Sequence, residues 1–222
     1  MLITKKTERP VGFSTILADP PWPESGGGKS KRGADKHYKL MKVGDIVSLP
    51  VETIAAHNAH LWMWTTNNYL EPALRAMSAW GFRYVTNVVW GKFKDDKVQV
   101  GLGQYFRGSH ELLLFGVRGR LPSQAPRGTK ARAISTLQLH PRGAHSSKPE
   151  AFYDLIETVS PPARIELFAR APRLGWSSIG DSDALVAEDC IRGDVADGIN
   201  HLAHDREELR SLTGSLDTGR IR

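Results

Sequence analysis

The residues best placed to do chemistry are Asp19-Pro20-Pro21-Trp22. At average residue frequencies such a tetrapeptide arises by chance in only roughly a few chains of this length in ten thousand. A carboxylate beside a fixed backbone carbonyl provides acceptors for both hydrogens of an exocyclic amine. Together they aim its nitrogen at an electrophile and stabilise the positive charge that develops there. Two prolines stiffen that arrangement, and the Trp22 indole presents a flat apolar surface on which an extruded planar base can stack.

Something must hold this turn in place. Thr15 to Ala18 is an apolar, β-prone run that the two prolines stop abruptly, so a buried strand delivers the motif at its C-terminal end. Val43 to His57 has helical spacing, divided by Pro50 into a turn and a helix. His60 to Thr66 reads as a strand, Tyr69 to Trp80 as a helix closed by Gly81, and Arg83 to Trp90 and Glu111 to Val117 as strands. Arg118 to Ser147 contains Pro122, Pro126 and Pro141 with little periodicity and reads as a long functional loop. Ala151 to Val159 is an amphipathic helix stopped by Ser160-Pro161-Pro162. Arg164 to Ala169 is a strand leading into a loop with Gly175, Trp176 and Gly180. Strands alternating with helices predict an α/β domain with a mostly parallel sheet.

With 222 residues, 40% of them hydrophobic and 24% charged, the chain can bury a sizeable core, and global disorder is excluded. No apolar run reaches the roughly 18 residues of a membrane span, and MLITKKTERP lacks a signal-peptide core, so a soluble, cytoplasmic protein is expected. The lone Cys190 forms no internal disulfide, and no cysteine and histidine cluster has the spacing of a zinc site, so no metal is expected. The net charge of +6 favours an anionic partner. It gathers in two loops, 23–42 and 118–147, the second continuing to Lys148 without a single carboxylate. The stretch from Asp181 to Glu208 is acidic by contrast.

The tetrapeptide resembles the catalytic motif of S-adenosylmethionine-dependent amino-methyltransferases acting on adenine N6, most closely the MT-A-seventy family. The resemblance covers about residues 15 to 182. It includes His37-Tyr38 to Met41, His60 to Thr65, Trp80-Gly81-Phe82 to Trp90, Glu111 to Gly119, His145 to Pro149 and Ile165 to Trp176. It implies a Rossmann-like methyltransferase fold, circularly permuted so that the catalytic motif precedes the cofactor strand at Ile165 to Ala169. Residues 1–182 would form the methyltransferase domain and 183–222 a polar tail with a helix near Val195 to Leu212.

The same resemblance implies roles for single residues. Asp19, Pro20, Pro21 and Trp22 would be catalytic. Asp19, Tyr38, Lys148, Arg170, Gly180 and Asp181 would meet S-adenosylmethionine, Arg170 from the strand end where α/β sheets hold ligands. Trp22, Tyr38 and Glu111 would line the acceptor pocket, and Arg127, Lys130, Arg132 and Arg142 would grip phosphates. Pro172 and Arg173 depart from the histidine and asparagine of the eukaryotic messenger-RNA writer. Asp181 and Ser182 stand where that relative has asparagine and glutamine. No Gly-x-Gly fingerprint follows RIELFA.

The expected reaction is methyl transfer from S-adenosylmethionine to adenine N6 in DNA, since the chain resembles bacterial and phage members, and a homodimer is expected because family members often pair. Two alternatives are RNA as the acceptor and a non-catalytic nucleic-acid-binding subunit of a heteromeric writer. The intact Asp19 and Trp22 argue against the second.

Overall fold

The computed structural model describes residues 12–23, 40–103, 105–125, 133–143 and 147–180. Its centre is strand β1 (Phe13–Ala18), an apolar run buried on both faces, as expected of a strand covered on two sides. Parallel neighbours flank it: β2 (Ala55–Thr65) on one side and β7 (Arg164–Ala169) on the other, with β8 (Trp176–Gly180) beyond β7. On the far side of β2 lie β5 (His110–Arg118) and then β3 (Arg83–Lys94), which carries the short β4 (Lys97–Val98) and β6 (Leu137–His140).

The expectation of a mostly parallel sheet is corrected here. The eight-stranded sheet is mixed, because β5 runs antiparallel to both β2 and β3. The reason lies in the connection. Among the described residues the connection from β3 to β5 holds no crossover helix; it turns back at once, with β4 pairing antiparallel on β3, and so returns the chain as an antiparallel neighbour.

Helices α1 (Val43–Val47) and α2 (Leu70–Ala79) cover one face, packing Ile46, Met77 and Trp80 against Leu61, Met63 and Leu114. Pro72 is tolerated in the first turn of α2, and Gly81 takes the left-handed φ of +81° that ends it. Helix α3 (Ala151–Val159) covers the other face, packing Phe152, Leu155 and Ile156 against Leu17, Trp62, Trp64 and Leu113.

Boundaries moved in three places. Beyond Pro50 the chain makes one 3-10 turn, Val51–Thr53, and is already in strand by Ala55. The presumed loop 118–147 contains β6, and the loop after β7 contains β8. Tail residues 183–222 lie outside the described residues.

At the end of the sheet where β1 begins, a neutral polar chain is buried on the α3 face. Trp62 Nε1 donates to Ser160 Oγ at 2.9 Å, Ser160 Oγ lies 2.9 Å from His60 Nδ1, and His60 Nε2 lies 2.8 Å from the Leu121 carbonyl. A carbonyl only accepts, so Nε2 carries the hydrogen and Nδ1 accepts from Ser160. Burial holds the His60 pKa below its ordinary value, against the opposing hydrogen bond to Leu121.

Candidate active site

The opposite end of the sheet gathers the charged residues. Asp19 leaves the C-terminal end of β1, and Arg170 leaves the C-terminal end of the parallel β7. Strand β5 is reversed, so its first residues reach the same end, and Glu111 faces Trp90 of β3 across the ladder. Lys148 enters from the segment before α3. Lys148 Nζ lies 3.0 Å from Asp19 Oδ2 and 3.2 Å from Glu111 Oε2, and Lys92 Nζ lies 2.6 Å from Glu111 Oε1. Arg170 Nη2 approaches the same Asp19 Oδ2 at 3.3 Å. Aromatic faces support both lysines: Lys148 Nζ lies 5.3 Å from the Trp64 ring centroid, and Lys92 Nζ lies 5.1 Å from that of Trp90.

The electrostatics follow from this alternation of sign. Burial alone would lower the Lys148 pKa, but Asp19 and Glu111 outweigh it and raise it. Burial would raise the Glu111 pKa, but Lys148 and Lys92 overcome it and hold the carboxylate below its ordinary value. Asp19 Oδ1 has no partner among the described residues.

The turn after β1 is tightly made. Trp22 N–H donates to the Pro20 carbonyl at 2.8 Å, and Met41 N–H to the Pro21 carbonyl at 3.0 Å. The Trp22 indole differs from expectation. It is 6% exposed, stacks on Tyr69 at 5.6 Å and donates to the Trp64 carbonyl at 3.1 Å. Its ring is buried in the protein's own packing, so in this conformation it anchors the turn and offers no open face to a base.

The bend at the end of β7 also has a local cause. Phe168 adopts a left-handed φ of +65°, and the pairing of β7 with β8 shifts register between Leu167 and Ala169. This kink lies two residues before Arg170. Gly180, paired with Ala169, fits only because it lacks a side chain: a Cβ there would overlap the Ala169 carbonyl oxygen. Arg142 donates its backbone N–H to Gln99 Oε1 at 3.1 Å, and its guanidinium lies against Gly101. Tyr38, Arg127, Lys130, Arg132 and Asp181 lie outside the described residues.

Sequence reasoning missed Lys92, a lysine near a strand end without a distinguishing local signal. It also missed Glu166, whose two oxygens lie 2.9 and 3.0 Å from the Tyr153 hydroxyl. Burial pushes the Glu166 pKa up to about 7, with the Tyr153 hydrogen bond opposing and Asp19 adding to the rise. Arg173, at the departure from the writer's pattern, lies 4.0 Å from the Tyr153 ring centroid and pairs with Glu150.

A mixed-sign cluster of this kind suits a zwitterion. Lys148 and Arg170 suit the carboxylate of S-adenosylmethionine, so the residues present fit that end of the cofactor. Among the described residues, no three His, Cys, Asp or Glu side chains group as a metal site, and no helix is long and apolar enough to cross a membrane.

The family model MT-A70 matches residues 13–182, and the chain belongs to that family of S-adenosylmethionine-dependent adenine-N6 methyltransferases. It is 32% identical over 187 residues to the Type II methyltransferase M.MunI of Mycoplasma sp, a match covering 76% of each chain. It is 27% identical over 179 residues to a putative N(6)-adenosine-methyltransferase MT-A70-like protein of Medicago truncatula, covering 76% of this chain and 26% of that one. Against the N(6)-adenosine-methyltransferase catalytic subunit METTL3 of Homo sapiens the identity is 25% over 179 residues, covering 76% and 28%. The chain thus matches about a quarter of the length of these last two relatives.

Proposed function

We propose that Asp19 orients the acceptor amine and that the acceptor is an adenine splayed from a strand of nucleic acid, with RNA as the polymer tested first. The observation that carries the first part is Asp19 Oδ1. It has no partner among the described residues, while Lys148 and Arg170 occupy Oδ2. Bound S-adenosylmethionine supplies a methyl group on a positively charged sulfur. Asp19 Oδ1 accepts one N6 hydrogen, the second lone pair of the Pro20 carbonyl accepts the other, and the nitrogen is aimed for in-line attack. The surplus N6 proton leaves to water once the new N–C bond has formed. Lys148 and Arg170 hold the cofactor's carboxylate, and Gly180 gives its adenosyl group room. Tyr38 and Asp181 complete this reading as cofactor contacts, and Glu111 lines the acceptor pocket.

The relatives named N(6)-adenosine-methyltransferases support RNA. DNA, the expectation from sequence, remains the second reading, supported by the even, higher-identity match to the Type II methyltransferase. In either polymer an unpaired adenine is the easier substrate, since flipping one from a duplex costs a few kcal/mol. Arg142, with Arg127, Lys130 and Arg132, is assigned to phosphates. This reading keeps residues 1–182 as the methyltransferase domain, 183–222 as an appended tail, and the cytoplasm as the site of action. It also keeps the homodimer: every exposed large apolar side chain among the described residues except Leu174 lies between residues 84 and 139. Exposed apolar side chains on and around β3, β4 and β6 suit burial against a second copy, and sedimentation of the full chain tests it.

The deciding experiment offers labelled S-adenosylmethionine with matched RNA and DNA oligonucleotides, single- and double-stranded, and analyses the nucleosides by mass. N6-methyladenosine formed by the intact chain and not by Asp19→Ala is the expected result. Preferential labelling of DNA would select the second reading, and unchanged transfer by Asp19→Ala would remove Asp19 from its role.

A further inference from the structure

Lys148 has to serve two carboxylates at once, and its geometry leaves a problem that one more residue solves. Glu111 is a flexible side chain with two oxygens, only one of which Lys148 holds. Left to itself, Glu111 would rotate to place both oxygens on Lys148 and draw that ammonium away from Asp19. Lys92 prevents this by holding Glu111 Oε1 at 2.6 Å.

Lys92 is itself well fixed. Its side chain is 13% exposed, its ammonium sits over Trp90, and its backbone N–H donates to the Ser109 carbonyl at 2.8 Å. Trp90 faces Glu111 across the antiparallel ladder, so Lys92, two residues on, shares that face of the sheet and forms the diagonal cross-strand pair. The β3–β5 register thereby sets the position of a group that touches neither Asp19 nor the open Oδ1.

We propose that Lys92 is a positioning residue for methyl transfer: by tethering Glu111 Oε1 it keeps Glu111 from capturing Lys148, and so keeps Lys148 on Asp19. The inference rests on the Asp19 reading above. The charged groups facing Glu111 are Lys92 on β3 and Lys148 ahead of α3, with Asp19 after β1 beyond Lys148 and Arg170 after β7 beyond Asp19. Removing the Lys92 charge removes one of the two cations that hold Glu111 ionised, so the Glu111 titration moves to higher pH.

The test compares the full-length wild type with Lys92→Met, Lys92→Gln and Lys92→Arg, and with Arg75→Met as a control for loss of a distant charge. Lys92→Met is expected to lower kcat roughly ten- to a hundredfold near neutral pH, with each KM changed less than about threefold, and the deficit shrinks as pH falls, because protonated Glu111 releases Lys148. Lys92→Arg restores kcat and the wild-type pH profile, and Lys92→Gln, which keeps a hydrogen-bond donor without the charge, recovers part of kcat but keeps a deficit that shrinks as pH falls. Carboxylate carbon NMR on the same proteins follows the Glu111 titration without turnover. A folded Lys92→Met or Lys92→Gln protein with wild-type kcat and an unmoved Glu111 titration would overturn the proposal. If the wild type methylates no adenine, the functional reading fails by itself, and the NMR titration still decides whether Lys92 governs Glu111: an upward shift supports the tether, and no shift overturns it.

Discussion

Two polar clusters are buried on the α3 face, one at each end of the sheet, separated by roughly 13 Å along β1 if four residues at strand rise divide them. The His60 chain is neutral and closed: Trp62, Ser160, His60 and the Leu121 carbonyl pass hydrogen bonds in one direction until an acceptor ends the line. The Asp19 cluster is charged and unfinished: Lys92, Lys148 and Arg170 face Glu111 and Asp19, which leaves one more cation than carboxylates and one oxygen open. A closed network fixes structure, because every group already has its partner. An open one keeps capacity for a ligand, at a cost in stability that the surrounding core offsets.

The largest way to break this contrast is Asp19→Ala. Methyl transfer should fall by at least about a hundredfold, with a fall in melting temperature as well because Lys148 keeps only Glu111 as its counterion, which single-turnover kinetics and a melting curve would report together. The mirror experiment is His60→Ala. Denaturant unfolding should show a loss of about 2–4 kcal/mol with kcat of the folded protein unchanged, because the mutation leaves a cavity and unpaired groups far from the acceptor.

A smaller effect separates the clusters by pH. Glu166 has its folded pKa raised, so its contribution is fully present below the ordinary 4.5 and is lost as pH rises through about 7. His60 has its folded pKa lowered, so its contribution is present above the ordinary 6.5 and is lost as pH falls below that value. The two oppose each other between these limits. Glu166→Gln should therefore expose a stability that rises with pH up to about 6.5, and a melting series from pH 4.5 to 8 in the wild type and variant checks it. The effect on the fold is smallest when only salt is changed: raising it from 50 to 200 mM should weaken polynucleotide binding about a hundredfold if four phosphates are neutralised, without altering the melting temperature by more than a degree or two.

The parts of the molecule legible from sequence were those governed by local rules. Helix α3 and strand β7 fall where apolar spacing and the Pro161-Pro162 stop put them, and the Asp19 turn follows from two prolines ending a strand. Strand direction is not local. Residues 110–118 look alike in either orientation, and β5 is antiparallel because the connection before it folds back on β3 through β4 instead of crossing the sheet. Strand β6 was hidden because four residues at a sheet edge carry little periodicity among prolines. The burial of Trp22 was illegible for a related reason, since it depends on Tyr69, a long-range neighbour. Lys92 acquires meaning only through a register that pairs Trp90 with Glu111.

The reversed β5 has a consequence for how this chain tolerates change in length. Glu111 and Lys92 are set by the ladder, not by the segment joining them, so the rungs work as a vernier between two side chains. Residues inserted at 99–108 would lengthen an excursion and leave the charges in step. A single residue inserted between Trp90 and Lys92 would turn the lysine to the other face of the sheet, so the enzyme can be long in one place and not by one residue in another.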